Sequence, residues 1–207
     1  FARSMSSWSG GAPHRKNDSR EAMSRSATRV AVCAAVAGRF QNNGQSCIAA
    51  KRFIVVEPIA DQFLSLFREK ILALRTGDPL QEDTQLGPLA RADLRDELHR
   101  QVQDSIHAGA KLVTGGEPLS GPGYFYAPTI LDGICPGMPA YEQELFGPVA
   151  ALIRVSDEVE ALAIANDNRY GLGGSVWTRD SARGERFARA LQTGMGFVNG
   201  WHPGICA

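Results

Sequence analysis

Cys47 ends a run of small and amide-bearing residues, Phe40-Gln41-Asn42-Asn43-Gly44-Gln45-Ser46, and is followed by Ile48-Ala49-Ala50. A nucleophilic cysteine must be reachable, must be supported as a thiolate and needs backbone donors near the oxyanion it creates. Gly44 permits a tight turn and a close approach of backbone to a substrate. If the loop leads into a helix start, free N–H groups would point toward Cys47. Spacing alone also admits the plainer alternative, a cysteine packed as a small hydrophobe.

The other cysteines, Cys33, Cys135 and Cys206, form no Cys-x-x-Cys pair with it or with each other. Their scatter, and that of His14, His99, His107 and His202, points to neither a zinc site nor a disulfide scaffold. No metal is expected, and a reduced, cytoplasmic setting is the simpler expectation. Gly115-Gly116 and Gly171-Leu172-Gly173-Gly174 lack the spacing of a phosphate-binding loop and read as turns. Glu142 and Glu144 lack the sugar-binding aromatics that would accompany a glycosidase pair.

The elements that must position Cys47 alternate in type. Ala31 to Arg39 reads as a short helix and Arg52 to Glu57 as a buried strand closed by Pro58. A helix follows with Phe63, Leu66, Phe67, Ile71 and Leu74 on one face. A second spans Arg91 to Ala108, with Leu94, Leu98, Val102 and Ile106 as its stripe and Gly109 as its stop. Lys111 to Thr114 reads as a strand, Tyr124 to Ile134 as an extended segment bent at Pro128, and Val149 to Val155 as a strand. Asp157 and Glu160 read as a capping box opening a helix whose apolar side holds Val159, Leu162 and Ala163. Gly174 to Thr178 is a strand, Asp180 caps a helix carrying Phe187 and Leu191, and Gly196 to Asn199 is a last strand. The expected fold class is α/β, a mostly parallel sheet with flanking helices.

Composition is that of an ordinary globular chain: 207 residues, 43% hydrophobic, 21% charged, with a net charge of +0. That balance points away from nucleic acid or an anionic membrane surface as partner, and no apolar run approaches a bilayer span. Residues 1–29 differ from the rest. They contain no Leu, Ile or Val and are rich in Ser and Arg, so disorder is expected there. An organelle transit peptide is the lesser alternative.

Several strings occur in the order of one known family. Phe40 to Cys47 resembles the active-site cysteine signature of the aldehyde dehydrogenase superfamily. Thr76-Gly77-Asp78-Pro79 and Leu86-Gly87-Pro88-Leu89 resemble its linker before a long helix, and Gly123 to Leu131 its Gly-Tyr-Phe-x-x-Pro-Thr strand. Glu142-Gln143-Glu144-Leu145-Phe146-Gly147-Pro148-Val149 resembles its Glu-x-Phe-Gly-Pro-Val motif. Asn166 to Leu172 and Ser175 to Thr178 complete the series. The cysteine loop and Gln143 to Val149 look closest to succinate-semialdehyde dehydrogenases.

The resemblance implies NAD- or NADP-dependent oxidation of a small-molecule aldehyde, with a semialdehyde among the candidates. Cys47 would form a thiohemiacetal and then a thioester, and its own N–H would bond the oxyanion. Glu144 would bind the nicotinamide ribose hydroxyls, and Phe146 would pack against the nicotinamide side of the cofactor. Outside the motif, Glu144 reads as a solvated carboxylate and Phe146 as a core aromatic. Full-length relatives are expected to be homo-oligomers.

The likeness is expected over residues 31–200, with 1–30 a disordered or out-of-frame tail and 201–207 a non-matching tail. Relatives carry a Glu-Leu-Gly-Gly motif, with the general base, before the cysteine. Here the upstream acids are Asp18 and Glu21, and Trp8 precedes the nearest echo, Ser9-Gly10-Gly11. The asparagine that completes the family's oxyanion hole and a cofactor domain are not recognised either. An inactive remnant, or a residual thiol esterase, is therefore the alternative expectation for the chain by itself.

Overall fold

The computed structural model describes residues 15–201, with side chains described from residue 26 onward. Chain order is α1 (Arg15–Phe40), β1 (Arg52–Val56), α2 (Glu57–Leu72), α3 (Ala92–His107), β2 (Lys111–Thr114), β3 (Thr129–Asp132), α4 (Pro139–Glu142), β4 (Val149–Val155), α5 (Glu158–Asn166), β5 (Gly173–Val176), α6 (Ser181–Ala190) and β6 (Met195–Val198).

A four-stranded sheet runs in the order β1-β4-β3-β2, and β5 and β6 form a separate pair. β4 lies parallel to both its neighbours, with Arg52 opposite Ala151 and Thr129 opposite Val149. β2 is antiparallel to β3, and β5 is parallel to β6. The mostly parallel α/β architecture is the one expected from the alternation of elements.

β4 is covered on both faces, which is why its sequence is a nearly unbroken apolar run. Val149, Ala151, Ile153 and Val155 enter one core with Leu98 and Val102 of α3. Ala150 and Leu152 enter the other, with Val32 and Phe40 of α1 and Phe63, Phe67 and Ile71 of α2. The two-residue period of the strand makes this division. Phe53 and Phe63 each stand against Phe67, with ring centroids 5.0 and 5.3 Å away.

The disorder expected for residues 1–29 does not hold for 15–29, which belong to α1; residues 1–14 lie outside the described residues, as do 202–207. Between Arg15 and Ala37 the sequence has no glycine or proline and many good helix formers. Once the apolar end of α1 nucleates against α2, extension costs little even without an apolar stripe.

Smaller expectations also shift. β1 ends at Val56, because Glu57 and Pro58 form the first turn of α2, where a proline ring suits the helix. Only Thr129 to Asp132 of the segment around Pro128 joins the sheet; Tyr126 forms an isolated bridge with Pro118. Asp157 caps α5 through the Val159 and Glu160 N–H groups, but the Glu160 carboxylate accepts from the Ser156 N–H and hydroxyl and does not close a reciprocal box. Val159 is 74% exposed, while Ala161 and Ile164 turn to the core. Gly173 and Gly174 lie in β5, not in a turn, whereas Gly115 and Gly116 do turn, both at positive φ.

Candidate active site

The last turn of α1 delivers Phe40 into the core, and the chain then reverses. Asn42, Asn43 and Gly44 take φ values of 48°, 56° and 71°, a left-handed run that asparagine and glycine tolerate best. The amides of this loop serve as anchors. Asn43 accepts from the Gly87 N–H at 2.8 Å and donates to the Pro88 carbonyl at 3.0 Å. The Gln45 side chain accepts from the Ala90 N–H at 2.9 Å. The cysteine loop and the Leu86 to Leu89 motif are therefore one docked unit.

Cys47 follows in a turn closed by the Ala49 N–H on the Ser46 carbonyl, and its side chain is exposed. No helix starts at Cys47: the chain goes directly from this turn into β1. The helix-terminus support anticipated for the thiolate is therefore not what the fold provides. The Cys47 N–H bonds to no backbone carbonyl among the described residues.

Arg39 is fully buried and joins this loop to the Glu144-to-Val149 motif. Its Nη2 donates to the carbonyls of Gly44 and Gly147, both at 2.7 Å, and its Nη1 to that of Ala50 at 3.1 Å. Burial pushes the Arg39 guanidinium down to about 9, opposed by the Glu144 charge, so it remains a cation at neutral pH. Its Nε has no partner among the described residues.

Glu144 and Phe146 stand beside the cysteine segment, and Lys51 links all three. The Lys51 ammonium lies 2.9 Å from Glu144 Oε1, 3.2 Å from the Cys47 carbonyl oxygen and 5.8 Å from the centre of the Phe146 ring. The Glu144 side chain is 34% exposed, and Phe146 is 37% exposed. Neither is a core residue, and both meet the ammonium that holds the Cys47 carbonyl. From α3, the Gln101 side-chain amide donates to Gln143 Oε1 at 3.0 Å, steadying the Glu144 backbone. Asp167, in the Asn166 to Leu172 motif, accepts from the Tyr141 hydroxyl at 2.6 Å across a polar cleft.

A family model, the aldehyde dehydrogenase family, matches residues 25–205. The chain belongs to the aldehyde dehydrogenase family. The match begins before and ends after the 31–200 span expected from motifs alone. An NADP(+) succinate-semialdehyde dehydrogenase of Mycobacterium avium (strain 104) is 50% identical over 170 residues, covering 82% of this chain and 36% of the relative. An NAD(P)+ succinate semialdehyde dehydrogenase of Escherichia coli (strain K12) is 48% identical over 172 residues, 83% of this chain and 37% of the relative. Among solved structures, a succinic semialdehyde dehydrogenase from Streptococcus pyogenes in complex with NADP+ aligns with a TM-score of 0.80 and 37% identity, over 84% of this chain and 38% of that one. The chain thus spans a little over a third of the relatives it matches.

The motif strings led to Cys47, Glu144 and Phe146, and the fold of this family member brings them together. Arg39 and Lys51 were missed as site residues. One signal was available: Arg39 and the Lys51-Arg52 pair flank an otherwise uncharged loop that carries the cysteine. Among the described residues no group of three or more His, Cys, Asp or Glu side chains is arranged to hold a metal, and no helix is long and apolar enough to cross a membrane.

Proposed function

We propose that this chain carries the nucleophilic half of an NAD- or NADP-dependent aldehyde oxidation, with Cys47 as the attacking thiolate and a semialdehyde as the substrate class. The observation that carries this reading is the convergence of an exposed Cys47, Glu144 and Phe146 on one ammonium. The M. avium and E. coli relatives, whose names specify succinate semialdehyde, favour a small aldehyde bearing a carboxylate.

In this reading the Cys47 sulfur adds to the aldehyde carbon, and the new oxyanion accepts from the Cys47 N–H. A nicotinamide nucleotide, when bound, supplies the hydride acceptor. Loss of hydride leaves an acyl group on Cys47 as a thioester, which water releases as the acid. The residues present fit such a group. Glu144 has one carboxylate oxygen on Lys51 and no partner for the other among the described residues, so that oxygen can accept from a ribose hydroxyl. The exposed Phe146 ring offers a flat apolar surface for a nicotinamide.

A second reading, a thiol-dependent esterase, is favoured by the exposed Cys47 and by its N–H, which bonds to no backbone carbonyl among the described residues. Acyl transfer from an activated ester needs only those two groups. On this reading Cys47 is acylated with no hydride acceptor bound. The experiment measures acylation by p-nitrophenyl acetate, and nicotinamide reduction with succinate semialdehyde, for the chain and for Cys47→Ala. Acylation that Cys47→Ala abolishes supports the nucleophile. Equal acylation in both overturns it. A Cys47-dependent rate of nicotinamide reduction would show that the chain alone completes the oxidation.

A further inference from the structure

A cysteine nucleophile needs positive charge or aligned donors close by, and Cys47 has no helix start to supply them. The nearest cation by contact is Lys51. Its ammonium donates to the carbonyls of Ser46 at 2.9 Å, Cys47 at 3.2 Å and Ala49 at 3.0 Å, and pairs with Glu144 at 2.9 Å. Those acceptors surround the group and orient the whole turn that bears the thiol. The other charges facing the turn are Glu144 itself and Arg39, whose Nη atoms are committed to backbone carbonyls.

We propose that Lys51 is a positioning residue for the reaction. Its ammonium fixes the turn on which the Cys47 sulfur and N–H are mounted, and its charge offsets Glu144, so that a thiolate at Cys47 does not face an uncompensated carboxylate. This rests on the reading of Cys47 as the nucleophile. It explains how an acidic ribose-binding residue coexists with an anionic nucleophile whose turn is held by the same ammonium. Burial, joined by the Arg39 charge, lowers the Lys51 ammonium from its ordinary value, while the Glu144 carboxylate and, least of these, the Cys47 charge pull it back up.

The test compares iodoacetamide alkylation of Cys47 at pH 7 in the wild-type chain and in Lys51→Met, Lys51→Arg and Glu144→Gln, by peptide mapping. Cys33 and Cys135, both exposed, serve as internal references. One unit charge removed at this range is worth about 1 kcal/mol at a partly screened site, so Lys51→Met slows Cys47 by roughly fivefold. Glu144→Gln accelerates it, Lys51→Arg retains most of the wild-type rate, and high salt narrows all the differences. A purely mechanical staple would be loosened by either Lys51→Met or Glu144→Gln, so rates moving in the same direction overturn the proposal, as do unchanged rates. If Lys51→Met fails to fold, the opposite-sign requirement still rests on Glu144→Gln, whose failure to accelerate Cys47 overturns it. If wild-type Cys47 reacts no faster than the reference cysteines, the nucleophile reading falls first and takes this proposal with it.

Discussion

Gly44 and Gly147 touch backbone to backbone: a β-carbon on Gly44 would lie 2.2 Å from the Gly147 carbonyl oxygen. The contact seats the cysteine loop directly on the Glu144-Phe146 loop, and position 44 has no room for a side chain of its own. It also explains why Arg39 can reach a carbonyl of each loop with one nitrogen.

Gly44→Ala is expected to destabilise the fold by more than about 2 kcal/mol, since the new methyl meets backbone and the φ of +71° is already unfavourable for alanine. A urea titration followed by circular dichroism checks it. A loss under half that size would mean the two loops separate easily.

Arg39→Met keeps the apolar stem but leaves the carbonyls of Gly44, Gly147 and Ala50 without their donor. Stranding several buried acceptors should cost about 3 kcal/mol. Hydrogen exchange should rise first in residues 41–50 and 144–148. Uniform acceleration over the whole chain would instead assign Arg39 to general core stability.

At Asn43 conformation and hydrogen bonding can be separated. Asn43→Gly keeps the left-handed backbone and loses the bonds to Gly87 and Pro88. Asn43→Ala loses both, so it should be the less stable variant by about 1 kcal/mol. Thermal melts of the pair decide this, and equal melting would mean the backbone relaxes out of the left-handed region.

Burial, together with the hydrogen bond to Asp167, pushes the Tyr141 phenol from 10.0 up to about 12. The unfolded chain therefore releases this proton first. The contribution is fully present below pH 10 and is lost as pH rises through 12. Tyr141→Phe should lose less stability over that interval than the parent chain, as measured by urea midpoints at each pH. Parallel curves would contradict the assignment.

Much of this fold is legible in the residues themselves. Val149 to Val155 reads as a strand, and the stripes through Phe63 and Phe67 and through Leu98 and Val102 read as helices; that these cover both faces of that strand emerges in the fold. Asp157 and Asp180 mark helix starts because a cap acts locally, on N–H groups two or three residues away. The extent of α1 is not legible from an apolar stripe, because its first half is carried by propensity and by continuity with a packed end. The motif strings point to Cys47, Glu144 and Phe146. Arg39 and Lys51 escape because each also ties the cysteine loop to a partner far along the chain, Gly147 at a separation of 108 residues for Arg39 and Glu144 for Lys51, and no spacing rule links such partners. The turn after Cys47 also escapes. Ile48-Ala49-Ala50 suits a helix, but the Lys51 ammonium gathers the carbonyls of Ser46, Cys47 and Ala49 instead.

Cys33, Cys47 and Cys135 are all exposed, so accessibility does not distinguish them and chemistry must. The decisive measurement is competitive alkylation of the unmodified chain with substoichiometric iodoacetamide at pH 7, quantified at each cysteine by mass spectrometry. A nucleophile at Cys47 requires that it take most of the label. Equal labelling of the three, or labelling that favours Cys33 or Cys135, would contradict the site described for this chain.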